Sequence, residues 1–414
     1  MRLFALWLAV CACSGQASPA QPQPDDALRV SRLQVAASGL FSKLPNITCS
    51  LAIERSRRPK ADRKFELLDN LHLEVGFIDG KELYAWPGSR RFDDRELFDL
   101  VGPIAGAIGN GDFAIHAKSI ILSGLATLGF DGEETAAGRR MDRWNFRQPI
   151  ATSRHGVRIP PAEAMVGYSG TLWADSSNGD LVRIEMKINE IPPQLPLKAG
   201  FKTITYERVP LAESSFLLPK TSELILVEPS GSESRNRTSF TGCRLYTAES
   251  TLNFEDLPAS AAPQPARSAA LPSGIELHLR PVAPVDFPLL SVGDPVQFTV
   301  DRDAVSDGQV RLPAGALVNG RVMSLECRNI PVQYCLAFLR LESFKAGGIE
   351  GEIRAVLQLP SISEQMAPAY RELDKSGKLR GSFGLSIVER PGMSPVFVHN
   401  KRWKASDTTV WRTR

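Results

Sequence analysis

The chain has 414 residues, 43% hydrophobic and 23% charged, with a formal net charge of +3. That length suits roughly two or three domains, each able to bury a core. The charge is too mild for a nucleic-acid surface, and no stretch beyond the N-terminus has the ~20 consecutive apolar residues of a membrane span.

Met1-Arg2 is followed by an apolar run from Leu3 to Val10 and by small residues near Ala17 and Ala20. A charged start, a short apolar core and small residues predict a signal peptide over 1–20. Two processing routes stay open. Cleavage after Ala17 or Ala20 leaves a free protein, whereas a lipobox at Val10-Cys11-Ala12-Cys13 lipidates Cys13. Either predicts an exported chain, periplasmic or outer-membrane associated. Four cysteines then remain, and an even count in an exported chain predicts disulfides. Their grouping pairs Cys49 with Cys243 and Cys327 with Cys335.

Asp25 to Leu44 carries Leu28, Leu33, Val35, Ala36, Leu40 and Leu44 mostly at helical spacing, with Pro45 ending it. Ile47 to Ile53 alternates as a first strand. The run Arg55-Ser56-Arg57-Arg58-Pro59-Lys60 reads as a solvated loop, or as a grip for an anionic headgroup. Leu71 to Phe77, the turn Asp79-Gly80 and Leu83 to Trp86 predict a hairpin. Glu96 to Val101 suits a short helix. Gly102 to Gly111 is an apolar, glycine-rich loop, either a lid over a groove or a turn packed on the core. Phe113 to Leu122 suits a buried helix, and Thr127 to Phe130 and Arg139 to Phe146 suit strands.

In Ser169 to Ile188, Leu172 and Ala174 alternate with Thr171 and Trp173, and Val182, Ile184, Met186 and Ile188 alternate with charged residues. Asn178-Gly179 between them predicts a tight hairpin turn with two positive-φ positions. Further strands follow at 201–209, 221–228, 237–245 and 247–254. About nine or ten antiparallel strands, each with one apolar face, predict a half-open barrel covered by helices. Leu257 to Pro272 is Pro- and Ala-rich and reads as a linker. Alternation returns at 275–279, 296–300, 310–322, 336–341 and 349–359, and again at 383–388 and 396–403. That predicts a small all-β barrel or sandwich. The fold class is mainly β (α+β), organised as a signal at 1–20, a half-barrel over 21–256, a linker over 257–273 and an all-β unit over 274–414.

The five histidines are scattered in sequence, and His72 and His278 fall on the polar side of strands. There is no HExxH, no nucleophile elbow around Ser169 and no metal-ligand spacing. No catalytic set, metal or cofactor is therefore predicted, although a carboxylate pair made only by folding stays open. Asn46-Ile47-Thr48 and Asn236-Arg237-Thr238 fit the glycosylation sequon.

Gly170-Thr171-Leu172-Trp173-Ala174-Asp175, the turn Ser177-Asn178-Gly179-Asp180 and Leu181-Val182-Arg183-Ile184-Glu185 form a "Trp-x-Asp, turn, Leu-x-Arg" hairpin. It resembles a hairpin of the bacterial LolA/LolB-like family of periplasmic lipoprotein-sorting proteins, as does Leu217-Leu218-Pro219 before a strand. The resemblance covers about 46–254. It implies an unclosed barrel with a helical lid and an apolar cavity for acyl chains. The larger size, the extra disulfide and the following all-β unit depart from that family. Val310 to Val322 is similar to one hairpin of TrbI-like periplasmic domains.

The leading expectation is a non-enzymatic envelope protein that holds a lipid or acyl ligand on its concave face and docks an envelope partner through 274–414. Inward alternation nominates Leu73, Val75, Phe77, Trp144, Leu172, Ile184 and Met186 as cavity lining, or equally as core. The alternative is a scaffolding protein whose barrel is filled by its own side chains.

Overall fold

The computed structural model describes residues 24–89, 92, 97–101, 107–136, 138–246, 267–268, 270–328, 334–358, 393–399 and 402–414. The expected signal peptide, the strand at 247–254, most of the linker, Gly102 to Gly106 and the strand at 383–388 lie outside them.

The protein is mainly β. Helix α1 (Pro24–Ser42) precedes β1 (Ile47–Arg58), β2 (Glu66–Ile78) and β3 (Lys81–Ala85). Short helices α2 (Leu97–Val101) and α3 (Ile115–Ile121) follow. Next come β4 (Thr127–Ala136), β5 (Arg139–Gln148), β6 (Gly156–Ile159), β7 (Ala162–Met165), β8 (Gly167–Asp175) and β9 (Leu181–Glu190). Three long strands, β10 (Ala199–Leu211), β11 (Ser214–Val227) and β12 (Glu233–Leu245), complete this part.

Ten of these strands form one antiparallel sheet in the order β3-β2-β1-β12-β11-β10-β9-β8-β5-β4, so the sheet is open between β3 and β4. The first strand pairs with the last, Ile47 facing Leu245 and Arg58 facing Glu233. Cys49 and Cys243 are bridged across that pair over a sequence separation of 194. Strands β6 and β7 form a separate hairpin whose turn contains a cis Pro160–Pro161 bond. The inner face is covered in part by α1, which buries Leu33, Ala37 and Phe41, and by α3, joined to it where Gln34 Nε2 donates to the Ile121 carbonyl. Val35 and Leu28, expected on the packed side of α1, are exposed. The buried positions at i, i+4 and i+8 define a narrower stripe than the apolar residues suggest.

The hairpin turns differ in kind. Asp79 and Gly80 both have positive φ, as a two-residue turn of this type requires. Between β8 and β9 only Gly179 does, at +74°, so the expected pair of positive-φ residues is corrected to one. The connection is five residues long (176–180). Asp175 accepts the Ser177 amide at 2.8 Å, and the Gly179 amide closes a helical turn on the Asp175 carbonyl. The Ser177 hydroxyl, together with Arg139 and the Ser177 amide, holds the Asp175 carboxyl down at about 2. Trp173 lies under the Arg183 guanidinium and donates to Glu134. The residues of the "Trp-x-Asp" hairpin therefore staple the turn and the outer face.

The basic run is also reassigned. Arg55 to Arg58 belong to β1, and each arginine has a partner: Arg55 pairs with Asp69, Arg57 with Glu228 and Arg58 with Glu233. Arg55 is only 2% exposed, where a guanidinium is tolerated because a carboxylate meets it in forked geometry.

The second sheet comprises strands 267–268, 276–281, 295–300, 317–328, 334–346, 349–352, 355–357, 394–399 and 409–413. Trp411, Phe298 and Phe287 are buried among its inner-face residues, and Cys327 is bridged to Cys335 across one hairpin. The single strand expected at 349–359 is split: Ile349–Glu352 pairs with 343–346, whereas Ala355–Leu357 pairs with 411–413. Ile349 is accordingly exposed. Arg267–Ser268, placed in the linker by composition, pairs in parallel with Ile349–Glu350.

The two sheets are joined by backbone. The free half of β2 accepts Val292, with the His72 amide donating to Val292 and the Val292 amide to Asn70, both at 2.8 Å. His72 is exposed and lies 2.8 Å from Asp294. His278 sits beside Glu276 and Arg302, away from this joint. Arg321 is buried here. It chelates Glu342 at 2.8–3.0 Å, donates to the carbonyls of Gly293 and Pro87, and lies 5.9 Å from the Trp86 ring centroid. Removing it leaves Glu342 with Arg340 alone as its cation and strands two carbonyls. We predict that Arg321→Ala costs about 3 kcal/mol in urea unfolding, against under ~1 kcal/mol for the exposed pair lost in Arg57→Ala. Equal costs would refute the clasp.

Candidate functional site

Antiparallel register places inner-face residues of neighbouring strands in rows. One row runs Trp144, Leu172, Ile184, Ile204, Ser222, Thr238, Ile53 and Leu71 across the sheet. It is mostly apolar and buried under α1 and α3. The next row towards the sheet end runs Met186, Lys202, Leu224, Asn236, Arg55 and Asp69. This row is polar, and it marks where solid core stops. In the next row, Ile188, Gly200, Leu226 and Ser234, all but Gly200 border open space.

That space is a cavity of about 630 Å³, within the range of small-molecule sites. Its sheet wall is Met186, Ile188, Leu224 and Leu226. Its opposite wall is Leu97 and Phe98 of α2, the 107–111 segment, and Val157, Ile159 and Met165 of the β6–β7 hairpin. Val157, Val166, Ile188, Leu195 and Leu197 pack as a small core that seats the hairpin on the sheet. Arg158 bridges the two covering pieces, its guanidinium 4.4 Å from the Phe98 ring centroid and 3.2 Å from Asp99.

The cavity ends on a buried polar cluster. Lys202 Nζ lies 2.6 Å from Asp112 Oδ1, donates to the Asn110 carbonyl at 2.6 Å and sits 3.2 Å from His116 Nε2. Asp112 Oδ2 accepts the Ser222 hydroxyl at 2.7 Å, and the Asp112 carbonyl accepts Tyr206 at 3.1 Å. Glu82 receives the amides of Gly111 and Phe113 and the Tyr84 hydroxyl. Loss of hydration, reinforced by the Asp112 charge, pushes the Glu82 carboxyl up. His116, on the first turn of α3, is 4% exposed. Its ring lies 5.2 Å from that of His155, which in turn lies 5.5 Å from Tyr168. Burial first and Lys202 second hold both imidazoles neutral, His155 at about 4 and His116 well below its ordinary value.

Of the residues nominated from alternation, Met186 borders the cavity. Leu73, Val75, Phe77, Trp144, Leu172 and Ile184 lie in the packed core and do not border it. His116 and His155, remote in sequence, are brought together at the cavity, and Glu82 and Asp112 meet in the cluster beside it. A strand-forming Lys202 in an inward register, flanked by Gly200 and Ile204, was the one local signal of a buried charge. Asn236 is buried with both amide atoms unpartnered, so its sequon is not a surface feature. Asn46 instead accepts the Asp79 amide beside the β2–β3 turn. Among the described residues no group of His, Cys, Asp or Glu is placed to hold a metal, and no helix is long and apolar enough to cross a membrane.

Gly111 is needed where it stands. Its φ is +86°, and a Cβ there would fall 2.8 Å from His116 Nε2. Gly111→Ala should therefore lower unfolding stability by about 1–3 kcal/mol, read by urea titration; a neutral result would show the loop to be pliable. The histidines set a pH dependence of known sign. A depressed folded pKa means stability is complete above the unfolded value of ~6.5 and is lost as pH falls towards about 4. Stability should drop over that interval, with a shallower slope in His155→Phe; an unchanged slope would contradict the burial of a neutral His155.

No family model matches the chain, and no curated protein matches it significantly. Solved structures do. A LolA superfamily protein from Nitrosomonas europaea is 12% identical, with 53% of this chain and 94% of the other covered and a TM-score of 0.28. A putative outer membrane lipoprotein-sorting protein domain from Vibrio parahaemolyticus is 12% identical, with 53% and 92% covered and a TM-score of 0.27. A DUF1329 family protein from Desulfovibrio piger is 11% identical, with 55% and 97% covered and a TM-score of 0.29. The solved structures that this chain resembles are thus LolA superfamily, lipoprotein-sorting and DUF1329 proteins.

Proposed function

We propose that the protein is an exported binding protein of the bacterial envelope, whose larger sheet holds a lipid or other apolar ligand. In this reading 21–256 is the binding unit and 274–414 docks a partner, with no catalytic step. The observation that carries it is the 630 Å³ cavity on the inner face, walled by Met186, Ile188, Leu224 and Leu226. A protein whose barrel served only as scaffold gains nothing by leaving that volume unfilled, since each missing contact forfeits dispersion energy. Acyl burial contributes ~0.8 kcal/mol per CH₂, so a chain lying along these walls is held without polar chemistry. The two disulfides support an oxidising compartment. Arg158, across the α2 and β6–β7 covers, is the natural point of opening.

Leu224 is half-buried and faces the cavity, so a change there spares the packed row beneath. The full chain, exported from a bacterial host and purified without detergent, should yield an apolar ligand near one per protein on organic extraction and mass spectrometry. Leu224→Arg should reduce that yield at least tenfold while unfolding at nearly the same urea concentration. An empty wild-type protein that also takes up no fluorescent apolar probe would sink the carrier reading and favour the filled scaffold.

A further inference from the structure

The polar cluster at the cavity end is almost wholly self-satisfied, with one exception. Lys202 is engaged by Asp112, Asn110 and His116, and Ser222 by Asp112. At the mouth, Arg158 is met by Asp99 and Glu163, and Glu228 by Arg57. His155 borders the cavity, and among the described residues neither of its ring nitrogens has a hydrogen-bond partner. Its ring is fixed by packing alone, between His116 of α3 and Tyr168 of β8. A partly buried imidazole held in one place without a polar partner is a donor waiting for an acceptor.

The charge that His155 feels decides which acceptor. Lys202 acts on it as a positive neighbour, and no carboxylate has a comparable effect. Asp112 acts instead on Glu82, and both act on Tyr84 and Tyr206; neither carboxylate lines the cavity. The cavity end thus presents the Lys202 ammonium beside an apolar wall, with its partner Asp112 outside the lining, and the carboxylates that do line the cavity, Glu163 and Glu228, are met by Arg158 and Arg57.

We propose that the cavity takes a single-chain anionic amphiphile, its carboxylate or phosphate head hydrogen-bonded to His155 in the field of Lys202 and its chain along Leu224, Leu226 and Ile188. This rests on the binding reading above and names its ligand class. The cavity volume suits one such ligand. A charge-assisted hydrogen bond in a water-poor site is roughly twice as strong as a neutral one, so the head confers selectivity while the chain confers affinity.

The test compares palmitate, its phosphate-headed analogue, methyl palmitate and palmityl alcohol as competitors of a fluorescent apolar probe on the full-length protein at pH 7.5, with acetate and inorganic phosphate as chainless controls. Both anionic amphiphiles should bind at least tenfold tighter than the ester and the alcohol, and the chainless anions should not compete. In His155→Phe the preference for the anionic amphiphiles over the ester should collapse to under about threefold while the fluorescent probe still binds. Equal binding of acid, ester and alcohol to the wild-type protein would overturn the headgroup assignment and leave the apolar carrier intact. Competition by acetate or phosphate alone would also overturn it, in favour of a small-anion site. Failure of all four chains to bind would overturn the carrier reading itself.

Discussion

The pairing of β1 with β12 is the constraint on which the larger sheet depends. Without it the chain is two separate meanders, β1 to β3 and β4 to β12, each with an apolar face open to water. With it, ten strands share one curved inner face, and Arg55 and Asp69 are set in register with Asn236 and Lys202. Bringing strands nearly two hundred residues apart into contact is entropically costly, and the Cys49–Cys243 bridge offsets that cost by closing the loop covalently.

That register divides the inner face into a packed half and an open half. On the packed side, Trp144, Leu172, Ile184 and Ile204 lie under α1 and α3 and meet other side chains all round. On the open side, the covers are α2, the 107–111 segment and the β6–β7 hairpin, which arch over the wall. The charged residues of the polar row between them cannot be buried without partners, so they recruit their own: Asp69 for Arg55, and Asp112, carried in by the segment before α3, for Lys202. The 107–112 segment is thus held down by charge, which leaves the cavity beside it defined in shape and unfilled.

The second sheet is attached through the part of β2 that β3 does not cover. An exposed strand edge is a hazard for misassembly, and Val292 satisfies it from within the chain. Arg321 then fastens the joint to Trp86 and Pro87, at the end of β3. The Pro- and Ala-rich composition of 257–272 implies free tethering, yet the described contacts make this a packed interface.

What the sequence determined by itself is what local periodicity encodes. Period-two alternation located most strands of both sheets, the even count of cysteines beyond residue 20 matched two disulfides, and helical spacing found α1 and α3. The hairpin turn at 176–180 was located but mistyped, because the Asp175 side chain substitutes for a second positive-φ residue. What only tertiary structure decided is which inward residues face empty volume. Alternation reports a face of the sheet, but Ile184 and Met186 share that face and only Met186 reaches the cavity. The meeting of His116, His155, Lys202 and Asp112 was likewise illegible, since it comes from three segments joined by strand register and by burial of charge, neither of which leaves a spacing that links them in the chain.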